Sequence, residues 1–155
     1  MGTALREVTT EMLRAELTAA EVKALPVAVT PDGTMSDAEE WLQERVMQAC
    51  DRVVAAVNTC SHNSPIKAGL CKVPAGCVRT ALVLARQAVI GAVPGMAETL
   101  EGGTRSAEYS AALQELHALA ACQLVPEYEL AVGELEGGSS GMQVVWGEKV
   151  ANWVF

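Results

Sequence analysis

The chain has 155 residues, a length that reads as one domain; half of them are hydrophobic, so a sizeable core can form. Aromatic residues are only 4% and Ala, Val and Leu dominate, which favours closely approaching helices over an all-β sandwich. The formal net charge of −8 argues against gripping a nucleic-acid backbone as a primary role, while remaining compatible with lining a passage through which DNA slides.

No apolar run approaches the roughly 18 residues that span a bilayer; Ala81-Leu-Val-Leu-Ala85 is the longest and Arg86 stops it. The N-terminus lacks a basic segment followed by an apolar stretch, so no secretory signal is expected. Five cysteines (Cys50, Cys60, Cys71, Cys77 and Cys122), an odd number, then read as reduced intracellular thiols.

Residues 1 to 8 read as a frayed end. Thr9 and Thr10 precede a short amphipathic segment, Glu11 to Leu17. Thr18-Ala-Ala-Glu21 is a capping box, in which the Thr hydroxyl accepts from the Glu21 amide while Glu21 reaches back; Pro26 stops the helix it opens. Val27 to Gly33 is a linker with a Pro-Asp-Gly turn signal.

Ser36-Asp-Ala-Glu39 is a second capping box and opens a long helix ending near Asn58. Ala38, Leu42, Val46, Ala49, Val53 and Val57 form its apolar stripe, flanked by Cys50 and Val54. Thr59 to Val73 is a loop. Pro74 fits the first position of the next helix, which runs to about Ile90 and is apolar almost all round. Such a helix is central in a bundle or covered by a neighbouring subunit. Arg79 and Arg86, seven residues apart, share one stripe on it. They either pair within the chain with acids such as Asp51 or meet acidic residues of a neighbour.

Gly91 to Arg105 is a glycine-rich connection containing Pro94. The last helix runs from Ser106 to about Leu124, with Tyr109, Leu113, Leu116 and Ala120 inward and Glu108 and Glu115 on a wet stripe. Gly137 to Gly141 is a flexible linker. Beyond it lie Trp146, Trp153 and Phe155, too apolar for a floppy tail and expected to dock on the chain itself or on a partner. The expected architecture is therefore all-α: three main helices in a bundle, a short N-terminal helix pair, and a C-terminal extended arm. Residues 1–136 form the helical domain and 137–155 the linker and arm.

Candidate chemistry is sparse. Cys60, His62, Cys71 and Cys77 are zinc-type ligands, but one and five intervening residues do not match a zinc knuckle. Cys50 or Cys122 could meet His62 or His117; without a motif, such a pair reads as packing. Glu108, Glu115, Glu127 and Glu129 read as a solvated face, and no Glu-x-x-His supports a di-iron site. No catalytic residue, metal or cofactor is therefore expected.

Asp51-Arg-Val-Val-Ala-Ala-Val57, Pro65, Val73-Pro74, Ala81-Leu-Val-Leu-Ala-Arg86, Arg105-Ser-Ala-Glu-Tyr109-Ser-Ala-Ala112, Leu116 and Leu119-Ala120 follow one another in an order that resembles the head–tail connector (adaptor) proteins of tailed bacteriophages, in particular the Mu-like branch. The likeness spans roughly residues 9 to 125. It departs from the family in its C-terminal aromatic tail and in the last helix, which runs through Ala121-Cys122-Gln123 where a Gly is usual. The resemblance implies a non-enzymatic virion protein at the head–tail junction, made in the host bacterial cytoplasm. It implies a ring, typically of twelve copies, between the portal and the tail or neck completion proteins, with DNA passing through without specific binding and no membrane contact. Within that role, Arg79 and Arg86 are expected at the interface between subunits and Trp146, Trp153 and Phe155 at the docking contact. The alternative is a small intracellular metal-binding helical domain, regulatory or enzymatic, built on Cys60, His62, Cys71 and Cys77.

Overall fold

The computed structural model describes residues 3–25, 28–29, 35–36, 38–93 and 103–135. The protein is mainly α-helical. In chain order the elements are β1 (Arg6–Glu7), α1 (Thr10–Ala15), α2 (Ala19–Lys23), β2 (Ala28–Val29), β3 (Met35–Ser36), α3 (Ala38–Thr59), β4 (Lys72–Val73), a 3₁₀ turn (Ala75–Cys77), α4 (Val78–Ala92) and α5 (Gly103–Ala120).

The two short N-terminal helices start where their caps dictate. The Thr9 side chain accepts from the Met12 amide, and Thr18 and Glu21 complete the expected reciprocal box. Residues 3–8, expected to fray, instead pair: β1 runs antiparallel to β4, with Arg6 opposite Val73 and Glu7 opposite Lys72. The reason is burial. Leu5 and Val8 lie in the core at 7% and 1% exposure, and their backbone must then be satisfied by a partner strand. Around the expected Pro-Asp-Gly turn, which lies outside the described residues, β2 and β3 pair with Ala28 opposite Ser36.

Helix α3 buries the stripe its sequence spells: Leu42, Val46, Ala49, Cys50, Val53, Val54 and Val57. Glu39 and Glu40 occupy its first turn, favourable at the positive end of the macrodipole. Glu39 also reaches outward, accepting from Arg14 at 2.8 Å and from the Thr10 hydroxyl, which clamps α1 onto α3. Arg45 stacks 4.9 Å over the Trp41 ring on the solvent side. Leu42 is fully buried, so Leu42→Ala is expected to lower the unfolding free energy by about 3 kcal/mol, read as a lower urea midpoint at unchanged slope. An unchanged midpoint would show that this end of α3 is not packed.

Pro74 precedes a 3₁₀ turn rather than opening the helix itself, and α4 continues to Ala92. Thr80 to Arg86, Val89 and Ile90 are buried, because α4 is sandwiched by its own chain: α3, α4 and α5 each pack against the other two. Counted with the 3₁₀ turn, the 18 residues Ala75–Ala92 are long and apolar enough to cross a bilayer, and 56% of them are buried in the fold. The expectation that no run spans a bilayer rests on Arg86 stopping the longest apolar run, Ala81 to Ala85; averaged over 18 residues the stretch is apolar enough all the same.

Helix α5 is displaced from expectation by about one turn at its end and by one register on its face. It spans Gly103–Ala120 and buries Ala112 and Leu119, while Tyr109 and Leu116 pack partly on the core and Leu113 is 38% exposed. It ends in a Schellman motif: Gln123 N–H donates to Ala118 O at 2.9 Å and Cys122 N–H to Leu119 O at 3.3 Å. Cys122 therefore holds the left-handed position, φ 61°, that glycine usually fills. The chain then folds back along the body. Glu129 N–H donates to Thr3 O at 2.9 Å, Lys67 N–H to Glu134 O at 2.7 Å, and Ile66 bridges Leu135.

Candidate functional site

Two polar constellations stand out among the described residues. The first lies where the end of α1, the outer face of α4 and the start of α5 converge. The seven-residue spacing of Arg79 and Arg86 puts both guanidinium groups on one side of α4, and each reaches the same two acids. Arg86 binds Glu108 at 2.6 Å and Glu16 at 3.5 Å; Arg79 binds Glu108 at 2.6 Å and also Glu16. Asp51, the acid named from sequence, is elsewhere: its carboxylate accepts at 2.8 Å from the amide of Gly69, whose φ of 86° requires glycine. Glu108, expected to be wet, is the hub of the network.

The two arginines are not equivalent. The Arg86 side chain is 6% exposed and its Nε has no partner; the Arg79 side chain is 52% exposed. The guanidinium of Arg86, and then that of Arg79, hold the Glu108 carboxyl below its ordinary value. Two positive and two negative charges cancel, so the cluster is a neutral strut joining three helices. Arg79 retains a solvent-facing side.

A second strut lies beside it. Arg105, at the start of α5, grips the buried Glu21 of the α2 capping box with both terminal nitrogens, one of them at 2.9 Å. That contact, foremost, lowers the Glu21 pKa from 4.5 to about 2. A carboxyl depressed in the folded state stabilises the fold above its unfolded pKa, and the contribution is lost as pH falls from about 4.5 to about 2. Over that window the wild type is expected to lose about 3 kcal/mol through this group. Glu21→Gln should be less stable at neutral pH and flatter between pH 4.5 and 2 in urea unfolding; parallel pH profiles would refute the assignment.

The second constellation involves sulfur and overturns two expectations. Cys60, just beyond α3, and Cys122, at the end of α5, are joined as a disulfide across 62 residues of chain, with Cα atoms 5.2 Å apart. They are therefore not reduced thiols here. His62 lies beside them, its Nδ1 3.6 Å from the Cys60 sulfur. Cys71 and Cys77, grouped with Cys60 and His62 from the sequence, do not join this cluster; both are buried free thiols, as is Cys50. Burial pushes the Cys50 and Cys77 thiols up to about 12, with the nearby Cys71 sulfur and Asp51 adding to the first and Glu115 to the second; burial and Asp51 raise Cys71. Protonated thiols of this kind are poor ligands and poor nucleophiles.

The loop bearing Cys60 and His62 is held firmly. Asn58 exchanges two hydrogen bonds with the backbone of Ile66, at 2.8 and 2.9 Å, and the Asn63 amide donates to Val57 O at 2.9 Å. Beside it, His62, Asn63 and Ser64 face residues 125–129 across an open cleft of about 330 Å³, and Tyr128 donates its hydroxyl to Ser64 O.

The seven-residue step from Arg79 to Arg86 was legible in the sequence; Glu16, 63 residues from Arg79, carried no local signal. Nor did the pairing of Cys122 with Cys60, although a cysteine where a glycine would end the helix was the available hint. Trp146, Trp153 and Phe155 lie outside the described residues. No family model, curated protein or solved structure matches the chain.

Proposed function

We propose that this chain is a non-enzymatic connector of a tailed bacteriophage, assembling as a ring between the portal and the tail or neck. The observation that carries the reading is the order of elements: a short helix pair, a long amphipathic helix, a loop, a central apolar helix, and a last helix entered through Arg105 and Tyr109. This is the order implied by the resemblance. In this reading α3, α4 and α5 form a three-helix bundle with α4 at its centre. Because α4 is covered by its own chain, contacts between copies fall to exposed edges. Arg79 is the polar contact among them, with Arg86 fixing its position through their shared acids.

Leu124, Val125, Val132 and Leu135 are exposed apolar residues on the returning segment, directly before the arm that carries Trp146, Trp153 and Phe155. In the proposed assembly this end of the molecule docks on the portal or a completion protein, burying apolar side chains that one copy leaves in water. The net charge of −8 then serves a channel that lets DNA pass without holding it.

Electron microscopy of the protein mixed with the portal encoded nearest its gene tests this. A coaxial ring of added density is expected, and it gives the copy number directly. The double substitution Trp153→Ala and Phe155→Ala should abolish attachment while leaving helicity unchanged. A folded, helical wild-type protein that adds no density to the portal would overturn the reading.

A further inference from the structure

Cys60, His62 and Cys122 each bring one ligand atom into a cluster whose members all lie within 4.8 Å of one another. We propose that in the reduced protein these three side chains form a zinc site, so that disulfide and metal are mutually exclusive occupants of the same corner.

Four observations carry this. The donor set is two thiolates and an imidazole, which a borderline-soft ion such as Zn²⁺ prefers over oxygen. The Cys60 sulfur and His62 Nδ1 are 3.6 Å apart, and sulfur and nitrogen ligands on a tetrahedral zinc lie roughly 3.6 Å apart, given Zn–S and Zn–N distances of about 2.3 and 2.0–2.1 Å. The loop that carries both ligands is tied to α3 by the Asn58 and Asn63 hydrogen bonds, so two of the three ligands are placed before any metal arrives. Finally, Cys122 occupies a left-handed backbone position that disfavours every residue with a Cβ. Helix termination alone would be served better by glycine. Cys71 holds a similar position, φ 56°, outside the cluster; what sets Cys122 apart is that its sulfur lies within reach of both Cys60 and His62.

The chemistry balances with a dithiol reductant of the thioredoxin class. Its thiolate attacks one sulfur of the Cys60–Cys122 bond, and two electrons and two protons pass to the protein. The products are two protein thiols and the reductant's own disulfide. Zn²⁺ then displaces the two thiol protons and takes both thiolates and the neutral imidazole, leaving the site uncharged. The remaining three cysteines do not compete, since burial keeps Cys50, Cys71 and Cys77 protonated. With three protein ligands, the fourth position falls to water or to a donor from the adjoining cleft, whose wall includes His62 and Glu127.

The test uses the full chain, oxidised and after phosphine reduction, titrated with Co²⁺ as spectroscopic probe and then with Zn²⁺ as competitor. The reduced protein should take up one equivalent, with thiolate-to-cobalt charge transfer and the intense visible bands of tetrahedral Co²⁺; the oxidised protein should take up none. The triple substitution Cys50→Ser, Cys71→Ser, Cys77→Ser should leave that spectrum unchanged, whereas His62→Ala should weaken Zn²⁺ binding about 100-fold or more. Circular dichroism shows whether each variant is folded. The oxidised and reduced wild-type comparison needs no substitution at all. Absence of a tetrahedral thiolate spectrum in the folded, reduced wild type overturns the proposal. So does binding that survives Cys122→Ser and His62→Ala undiminished.

Discussion

Replacing Glu16 and Glu108 together by Ala is expected to lower the unfolding free energy by about 3–5 kcal/mol, because it strands a buried charge. Arg86 has a side chain only 6% exposed, and among the described residues it pairs with those two carboxylates. Without them its guanidinium must stay desolvated and unpaired, or drag solvent into the seam between α4 and α5. The converse change should be mild. Arg86→Met removes the charge and keeps the stem, while Glu108 retains Arg79 at 2.6 Å near solvent; a loss of about 1 kcal/mol is expected. Arg79→Met should cost less still, since its side chain is half exposed and screened. Urea unfolding of the three variants decides the matter. If Arg86→Met destabilises as much as the double acid variant, the ion pairs of Arg86 themselves stabilise the fold, and the stranded charge is not what makes the double acid variant weak.

Loss of the Cys60–Cys122 cross-link is expected to be comparably severe. In the chain-entropy account, a bond closing a loop of 62 residues restricts the unfolded chain by about 4 kcal/mol. Reduction by phosphine without metal, or the substitution Cys60→Ala with Cys122→Ala, should therefore lower the unfolding free energy by a similar amount, read as a lower urea midpoint. The effect arises in the unfolded state, so native circular dichroism should stay the same while the midpoint moves. Mass spectrometry establishes the oxidised form beforehand. An unchanged midpoint on full reduction of that form would mean that the corner is held by α5 packing on α3 alone.

Much of the helical framework was written locally. The stripe Leu42, Val46, Ala49, Val53 and Val57 repeats every three or four residues, so helix geometry alone places it on one face, and that face is buried. Thr18 and Glu21 cap their helix through atoms three residues apart, a contact independent of the rest of the fold. The mostly apolar surface of α4 likewise required cover, and it is covered except at Arg79, Ala88, Gly91 and Ala92. What supplied the cover, the chain's own α3 and α5, was not legible, because periodicity describes a surface and not its partner.

The errors share that origin. Residues 3–8 show no strong strand pattern; Arg6 and Glu7 among them pair as a strand because β4 offers an unpaired edge and the core offers room for Leu5 and Val8. In α5 the expected inward set Tyr109, Leu113, Leu116 and Ala120 includes Leu113, which is 38% exposed. Packing against α3 and α4 instead selected the smaller Ala112 and the leucine seven residues on, Leu119. The sequence by itself determined a mainly helical chain, the stripe of α3, the capping box of α2, and the placing of Arg79 and Arg86 side by side, all consequences of spacings of seven residues or fewer. Only the tertiary structure decided that Glu16, Glu21 and Glu108 neutralise the three arginines 79, 86 and 105, and that Cys60 and His62 meet Cys122. Those contacts join residues from 22 to 84 positions apart, and at such separations chain closure and packing, rather than local geometry, choose the partner.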